Sequence, residues 1–380
     1  MGRRLTVVQL LPAMESGGVE RSTLEIADAL VRAGHRAIVV SAGGRLVPKL
    51  HGLGAEHVAL DIGRKSPLTL RHVRALRRLF AHDVDIVHAR SRLPAWLARF
   101  ALRGISPASR PRFVTTVHGL NSPSRYSAVM TSGERVICVS RTVRDYVLQH
   151  YPRTDPAKLQ VIARGIDPAA FPRAPLPDVA ARMRVAGLYP ALGGEGPLFL
   201  LPGRGTRLKG HIDALRLLAR LRGQGLDARL WMPGARQPGR DAYIAELERE
   251  ADDLGVAMAI AFTAPTSAIA EAYAASDLVL QLSRKPEAFG RTVLEALSVG
   301  RPLLGWAHGG VGELLAQWQP RGALEPFDEA ALLQGALALL AHPPPPVTMP
   351  DSLRAMQQAT LACYEELAWP TRMNDSRELP

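Results

Sequence analysis

Short, continuous apolar runs alternate along this chain with longer stretches in which apolar residues recur at helical spacing. In the first half the runs are Leu5–Leu11, Ala37–Ser41, His57–Ile62, Asp85–His88, Phe113–His118 and Arg135–Ser140. They lack the in–out alternation of a sheet with one wet face, so they predict parallel strands covered on both sides. Between them, Glu20–Ala33, Leu68–Phe80 and Arg141–His150 predict helices. Strands and helices in alternation make a doubly wound α/β domain.

The stretch Asp167–Pro177 then carries four prolines, a density that predicts an interdomain linker. A second alternation follows. Its strands are predicted at Leu198–Leu201, Arg229–Met232, Ala257–Phe262, Leu278–Leu282 and Pro302–Trp306. Its helices are predicted at His211–Arg222, Asp241–Leu254, Thr266–Ala275, Arg291–Ser298 and Glu329–Leu340. Pro343–Pro346 interrupts the chain before a last helix over about residues 351–368. The reading is an N-terminal domain over residues 1–170 and a C-terminal one over 171–350. Two such domains are expected to leave a crevice at their strand C-terminal edges, where open α/β sheets bind ligands.

A chain of 380 residues is long for one core and comfortable for two. With 47% hydrophobic and 22% charged residues, it is not a disordered chain. No apolar run approaches the ~20 residues that a membrane span requires. Leu5–Leu11, ended by Pro12, is too short for a signal-peptide core, so a cytoplasmic protein is expected. Cys138 and Cys363 lie in apolar sequence without metal-ligand spacing and are expected as buried free thiols. The net charge of +12 is unevenly spread: residues 1–170 hold 26 Lys+Arg against 12 Asp+Glu, and the remainder holds 21 against 23. The basic half is expected to meet something anionic, either nucleic acid or a lipid surface.

Two motifs carry most of the chemistry. In Pro202–Gly210, glycines make a low-bulk turn between a strand and a helix while Arg204 and Lys209 supply two cations. A diphosphate suits that combination: one cation at ~4 Å contributes about 4 kcal/mol at an effective dielectric near 20, before desolvation, and a helix N-terminus adds to it. The competing reading is a solvated turn with surface charges. The second motif, Pro286–Ala296, holds Glu287 before a helix, Phe289 and Gly290 at its start, and Glu295 inside it. Carboxylates accept several hydroxyl hydrogen bonds and so suit sugar and ribose diols. Favourable placement at a helix N-terminus would explain Glu287, but not Glu295 among Leu294, Ala296 and Leu297.

Weaker signals sit at other strand ends. Gly17 and Gly18 follow the first strand, where they let backbone approach a ligand; a plain tight turn explains them as well. His118, before Gly119, closes a strand at the edge expected to face the crevice. His308–Glu313 is another glycine-rich strand exit, read as a loop with no separate chemistry. Asp83-Val84-Asp85 has the shape of a metal-binding Asp-x-Asp, but it leads into a strand and is read as a turn. Arg71, Arg74 and Arg78 share one face of a helix whose other face holds Leu70, Val73, Leu76 and Phe80. That suits either ordinary amphipathicity or an anionic membrane surface.

Taken in order, Gly17-Gly18, His118-Gly119, Gly203-Arg204 with Lys209-Gly210, and Glu287 with Glu295 seven residues apart resemble the family 4 retaining glycosyltransferases. The resemblance spans nearly the whole chain. It implies the GT-B fold, two Rossmann-like domains, with the last helix crossing back onto the first. It implies that Arg204 and Lys209 bind the diphosphate of a nucleotide-sugar, that Glu295 holds the ribose, and that Glu287 contacts the sugar hydroxyls. Phe289 and Gly290 would offer amides near the phosphate, His118 would lie beside the reacting centre, and the Gly17-Gly18 loop near phosphate or acceptor. No cofactor and no metal is expected, because the two cations would replace it. Gly43–Pro48, Arg64–Leu68 and His88–Trp96 add a similarity to bacterial enzymes of lipopolysaccharide and envelope glycan synthesis. The expected partners are then a UDP-sugar, a glycolipid or glycan acceptor met by the basic domain, and the anionic inner face of the cytoplasmic membrane.

Two other readings stay open. A GT-B-fold sugar-nucleotide epimerase or phosphorylase-like enzyme would share the donor site without a lipid acceptor. Nucleic-acid binding rests on charge alone, since aromatics are 5% of the chain and no stacking platform is interleaved with the basic residues; no specific nucleic-acid partner is expected.

Overall fold

The computed structural model describes residues 3–15 and 17–369. The described residues form two compact units, one running to Arg164 and joined by the chain from Leu353 onward, the other of residues 165–352. In the first, strands β1 (Thr6–Leu10), β2 (Arg36–Ser41), β3 (Glu56–Ala59), β4 (Ile86–Ala89), β5 (Arg112–Val117), β6 (Arg135–Cys138) and β7 (Leu159–Val161) form one parallel sheet in the order 3-2-1-4-5-6-7. Helices α1 (Gly18–Arg32), α2 (Val47–Gly52), α3 (His72–Phe80), α4 (Arg92–Arg103) and α5 (Arg141–His150) connect them. Both sheet faces are covered, so β1, β4 and most of β5 and β6 are buried throughout and largely apolar, enclosing a few polar side chains such as Gln9, His88 and Thr116.

The second unit starts with α6 (Val179–Leu188) and builds β8 (Leu198–Leu200), β9 (Arg229–Pro233), β10 (Ile260–Thr263), β11 (Leu278–Gln281), β12 (Leu303–Trp306) and β13 (Ala323–Leu324) into a parallel sheet in the order 10-9-8-11-12-13. Its other helices are α7 (His211–Gly223), α8 (Asp241–Asp253), α9 (Ile269–Ala275), α10 (Arg291–Val299), α11 (Gly309–Trp318) and α12 (Glu329–Ala341). In each sheet the strand order reverses beside the first strand of the unit, the place where open α/β sheets bind ligands.

The last helix, α13 (Ser352–Ala368), packs on the first unit. Met356, Cys363 and Tyr364 join the core built by Leu5, Val7, Leu30 and Ile137. A polar contact fixes its register: the Tyr364 hydroxyl lies 2.6 Å from His88 Nδ1, and His88 Nε2 lies 2.6 Å from Thr116 Oγ1. Burial, then the charges of Arg90 and Arg164, push His88 well below the usual imidazole range, so it sits neutral between two hydroxyls. Cys138 and Cys363 are buried free thiols, raised by burial to about 12 and about 11.

Several details differ from the sequence pattern. The proline-rich stretch 167–177 belongs to the second unit, and the division falls after Arg164. Phe171 holds it there: its carbonyl accepts from Ser298 at 2.8 Å and its ring lies edge-on to Tyr273. The glycine-rich exit after β12 is not a loop but the first turn of α11. Leu70 stands 54% exposed, off the buried face. Pro67, capped by Ser66, starts a 3₁₀ turn over Pro67–Arg71, and its tighter winding rotates Leu70 away from Leu76 and Phe80. The short strands β7 and β13 and the helix α6 left too little pattern to be read.

Candidate active site

In the second unit two loops meet at the C-terminal ends of adjacent strands β8 and β11. The first, after β8, tightens through a 3₁₀ turn at Arg207–Lys209 and enters α7 at Gly210. Gly210 has φ +74°, and a Cβ there would stand 2.1 Å from the Leu282 carbonyl oxygen. Only glycine allows that approach, which lays the loop on the end of β11. Two hydrogen bonds fix the contact: the Arg284 amide donates to the Leu208 carbonyl at 2.8 Å, and Arg284 Nη1 to Asp213 Oδ1 at 2.6 Å.

The result is an ion pair between Lys209 Nζ and Glu287 Oε1, residues far apart in sequence, with side chains 27% and 23% exposed. Glu287 also accepts from Ser283 Oγ at 2.5 Å and Gln281 Nε2 at 3.2 Å. Burial alone would raise its carboxyl. The Lys209 charge and hydrogen bond, with Ser283 and His308, outweigh that and hold it below the usual carboxylate range. Arg204, on the same loop as Lys209, is exposed, and among the described residues no ion pair or side-chain hydrogen bond engages it. The arrangement is a partly screened cation, a second solvated cation and an ionised carboxylate at two helix starts, α7 and α10, neither closed by a side-chain cap.

Glu295 lies one turn into α10 at 8% exposure and accepts from the Tyr273 hydroxyl at 2.9 Å. It is thus a buried, aimed carboxylate rather than a surface one. Phe289 is buried and Gly290 caps α10. The start of α11 supports the Glu287 segment from behind. Glu287 and Gly309 form an isolated β-bridge, the Gly310 amide donates to the Glu287 carbonyl at 2.8 Å, and a Cβ on Gly310 would strike Phe289 backbone at 2.5 Å. His308 Nε2 adds a 2.8 Å contact to the Ser283 carbonyl. Ser283, Gln281 and Tyr273 were not singled out by sequence reasoning, because they act by holding Glu287 and Glu295, and His308 was read only as part of a strand exit. Gln281 and Ser283, polar at the end of an apolar strand, were the available signal.

In the first unit, Gly17 and Gly18 start α1, and a Cβ on Gly18 would meet nothing within 4 Å; the turn is open on that side. His118 stands just past β5, half-buried, with Nδ1 3.3 Å from Arg164 Nη2. It lines a cavity of about 370 Å³ together with Gly119, Arg90, Lys65, Asn121 and Tyr126. Arg71, Arg74 and Arg78 are exposed and away from it, on the surface of α3 and the preceding turn. Asp85 accepts from the Thr6 amide at 2.8 Å and pairs with Arg3, so the Asp-x-Asp sequence secures the start of β1. Among the described residues no three His, Cys, Asp or Glu side chains come together as metal ligands would.

Residues 16–170 match the Glycosyltransferase Family 4 family model, and residues 190–357 match that of Glycosyl transferases group 1. The chain belongs to the family 4 glycosyltransferases. Its fold is GT-B. A glycosyltransferase from Rickettsia africae superposes with a TM-score of 0.82 at 27% identity, covering 96% of this chain and 99% of that one. Anabaena HepE in complex with UDP and glucose superposes at 0.80 with 19% identity, over 96% and 100% of the two chains. Among curated proteins, a D-inositol 3-phosphate glycosyltransferase of Jonesia denitrificans is 33% identical over 48% of this chain, a match spanning 43% of its own length. A GDP-mannose-dependent alpha-(1-6)-phosphatidylinositol monomannoside mannosyltransferase of Mycolicibacterium smegmatis is 28% identical over 71% of both chains. In this family 4 chain, Lys209 and Glu287 are therefore paired in the half matched by the group 1 model, and His118 lies in the half matched by the family 4 model.

Proposed function

We propose that this protein transfers a hexose from a nucleotide-diphosphate-sugar, a UDP-sugar, to a glycolipid or polysaccharide acceptor of the bacterial envelope or lipopolysaccharide. The observation that carries the reading is the Lys209–Glu287 pair, held on two interlocked loops beside the solvated Arg204. Arg204 and Lys209 take the diphosphate, with the uncapped amides of α10 at Phe289 and Gly290. Glu287 accepts hydrogen bonds from the sugar hydroxyls, and Glu295, oriented by Tyr273, takes the ribose diol. Gly17 and Gly18 border the phosphate or acceptor, and His118 serves the reacting centre.

The reaction proceeds with retention and without metal. The bond from the anomeric carbon to the phosphate oxygen breaks as the acceptor oxygen attacks the same face. The acceptor proton passes to the departing phosphate oxygen, and the two cations neutralise the charge that develops there. Lys209 then exchanges a carboxylate partner for a phosphate one.

The surface that carries Arg71, Arg74 and Arg78 also exposes Leu68 by 71% and Leu70 by 54%. Exposed apolar side chains among cations suit the anionic face of a membrane, and no described helix is long and apolar enough to cross one. We assign this surface to peripheral contact at the inner leaflet.

The deciding experiment is a thermal-shift screen with UDP-, GDP- and ADP-sugars, GDP-mannose among them because the M. smegmatis relative is named for it. The best donor is then incubated with and without acceptor glycolipid. Stabilisation by one donor and acceptor-dependent transfer are expected. Conversion of the sugar without any acceptor would mark an epimerase instead, and no stabilisation by any nucleotide-sugar would end the proposal.

A further inference from the structure

Past β13 the chain turns through Glu325-Pro326-Phe327-Asp328, and the Asp328 amide donates to the Glu325 carbonyl at 3.2 Å. Proline fixes the second position of this turn at φ of about −65°. A left-handed third position then makes it type II, the turn that asks for glycine there. The residue present is Phe327, at φ +71°. A bulky side chain in that region is an outlier among folded proteins, and it persists only where its surroundings hold it. The ring is not withdrawn into the core either, since Phe327 is 45% exposed.

Three side chains from neighbouring strand ends meet this ring. Trp306, which ends β12, and His308, which caps α11, both lie edge-on to it with centroids 6.0 Å away. The Arg284 guanidinium carbon stands over it, 4.9 Å from its centre. Two of the three fix the loops that carry Lys209 and Glu287. Arg284 binds the Leu208 carbonyl through its amide and Asp213 Oδ1 through Nη1. His308 binds the Ser283 carbonyl, and Ser283 Oγ donates to Glu287. Arg284 is itself half-exposed, so the ring is the wall that keeps its guanidinium from turning to water. Asp213 is buried and depends on that guanidinium: burial pushes its carboxyl above the usual range, and Arg284 is the leading influence against it.

We propose that Phe327 is a positioning residue of the donor site. The left-handed turn presents its ring as the brace that keeps Arg284 on Asp213, and so keeps Lys209 beside Glu287. That Lys209 meets a diphosphate rests on the reading above; the brace itself rests on the contacts of the ring.

Three variants of the full chain separate the ring from the turn. Phe327→Ala removes the ring and leaves a side chain at positive φ, Phe327→Gly removes both, and Phe327→Tyr keeps both. Inorganic pyrophosphate, which engages the cations and needs no base, is titrated calorimetrically at constant ionic strength, with urea unfolding measured alongside. Its affinity is expected to fall about two- to fivefold in Phe327→Ala and in Phe327→Gly, the ratio carried by one partly exposed cation–π contact, and to hold in Phe327→Tyr. Stability should divide the variants differently, with the urea midpoint of Phe327→Gly above that of Phe327→Ala. In Arg284→Met, adding Phe327→Ala should change the affinity by less than about twofold, because the two residues act as one unit.

Affinity that follows stability, recovering in Phe327→Gly relative to Phe327→Ala, would make the ring mere packing and overturn the proposal. So would an undiminished fall in the Arg284→Met background, or a fall in Phe327→Tyr as large as in Phe327→Ala. Pyrophosphate binding that is indifferent to Phe327 ends this proposal alone and leaves the donor reading standing. A wild-type chain that binds no pyrophosphate ends the donor reading, and with it any part that Phe327 plays there.

Discussion

Glu287→Gln separates two duties assigned to one carboxylate. It holds Lys209, so in the proposed reaction it competes with the donor diphosphate for the same cation. Unit charges about 4 Å apart attract by roughly 4 kcal/mol at an effective dielectric near 20. Both side chains keep about a quarter of their exposure, and solvent screening with desolvation leaves on the order of 1 kcal/mol for the pair. Glutamine fills the same space. Its amide oxygen still accepts from Ser283, and Gln281 can turn its own amide to offer an oxygen to the new NH₂. UDP without a sugar should therefore bind the variant about fivefold more tightly, the ratio that ~1 kcal/mol represents. Turnover with the whole donor should move the other way, falling on the order of 10²- to 10³-fold, as when one preorganised polar contact to a transition state is removed. Calorimetry with UDP and a radiolabelled transfer assay measure the two effects separately. UDP binding that weakens, together with turnover that holds, would refute both the competition and the sugar contact.

Gly210→Ala should destabilise the second unit by about 2–5 kcal/mol, since a Cβ at positive φ costs ~1–2 kcal/mol and overpacking a further 1–3; urea unfolding within experimental error of wild type would show that the loop does not rest on Leu282. Burial lowers His211 from 6.5 to about 4, so across that window the unfolded chain binds the extra proton and stability falls as the pH is lowered, by up to ~3 kcal/mol from this group. His211→Phe should flatten that limb of the stability–pH curve, although His88 acts in the same direction and leaves part of it; an unaltered slope would sink the assignment. Reversing Arg71, Arg74 and Arg78 to glutamate should release the protein from anionic vesicles in a flotation assay while donor binding persists. Equal partition would exclude this surface as the membrane contact.

Sequence alone settled whatever depends on local pattern. Strands buried on both faces are mostly apolar, so the main strands and their alternation with helices in each half could be read directly, and the family 4 motifs stood at strand ends because glycine and charge are tolerated there. Pattern failed where an element is too short or where tertiary packing overrides a local preference. β7 and β13 are brief edge strands, the first turn of α11 is hidden by glycines that its packing against Phe289 demands, and the prolines before α6 suggested an interdomain linker although Phe171 anchors them in the second unit.

Only the folded chain could decide which groups meet. No spacing rule pairs Lys209 with Glu287; their contact depends on Gly210 lying against the Leu282 carbonyl, a consequence of β8 and β11 being neighbours across a crossover. The same holds for Tyr273 beneath Glu295. Propensity acts between near neighbours in sequence, whereas charge and hydrogen bonding act between neighbours in space, and the sheet order converts one into the other.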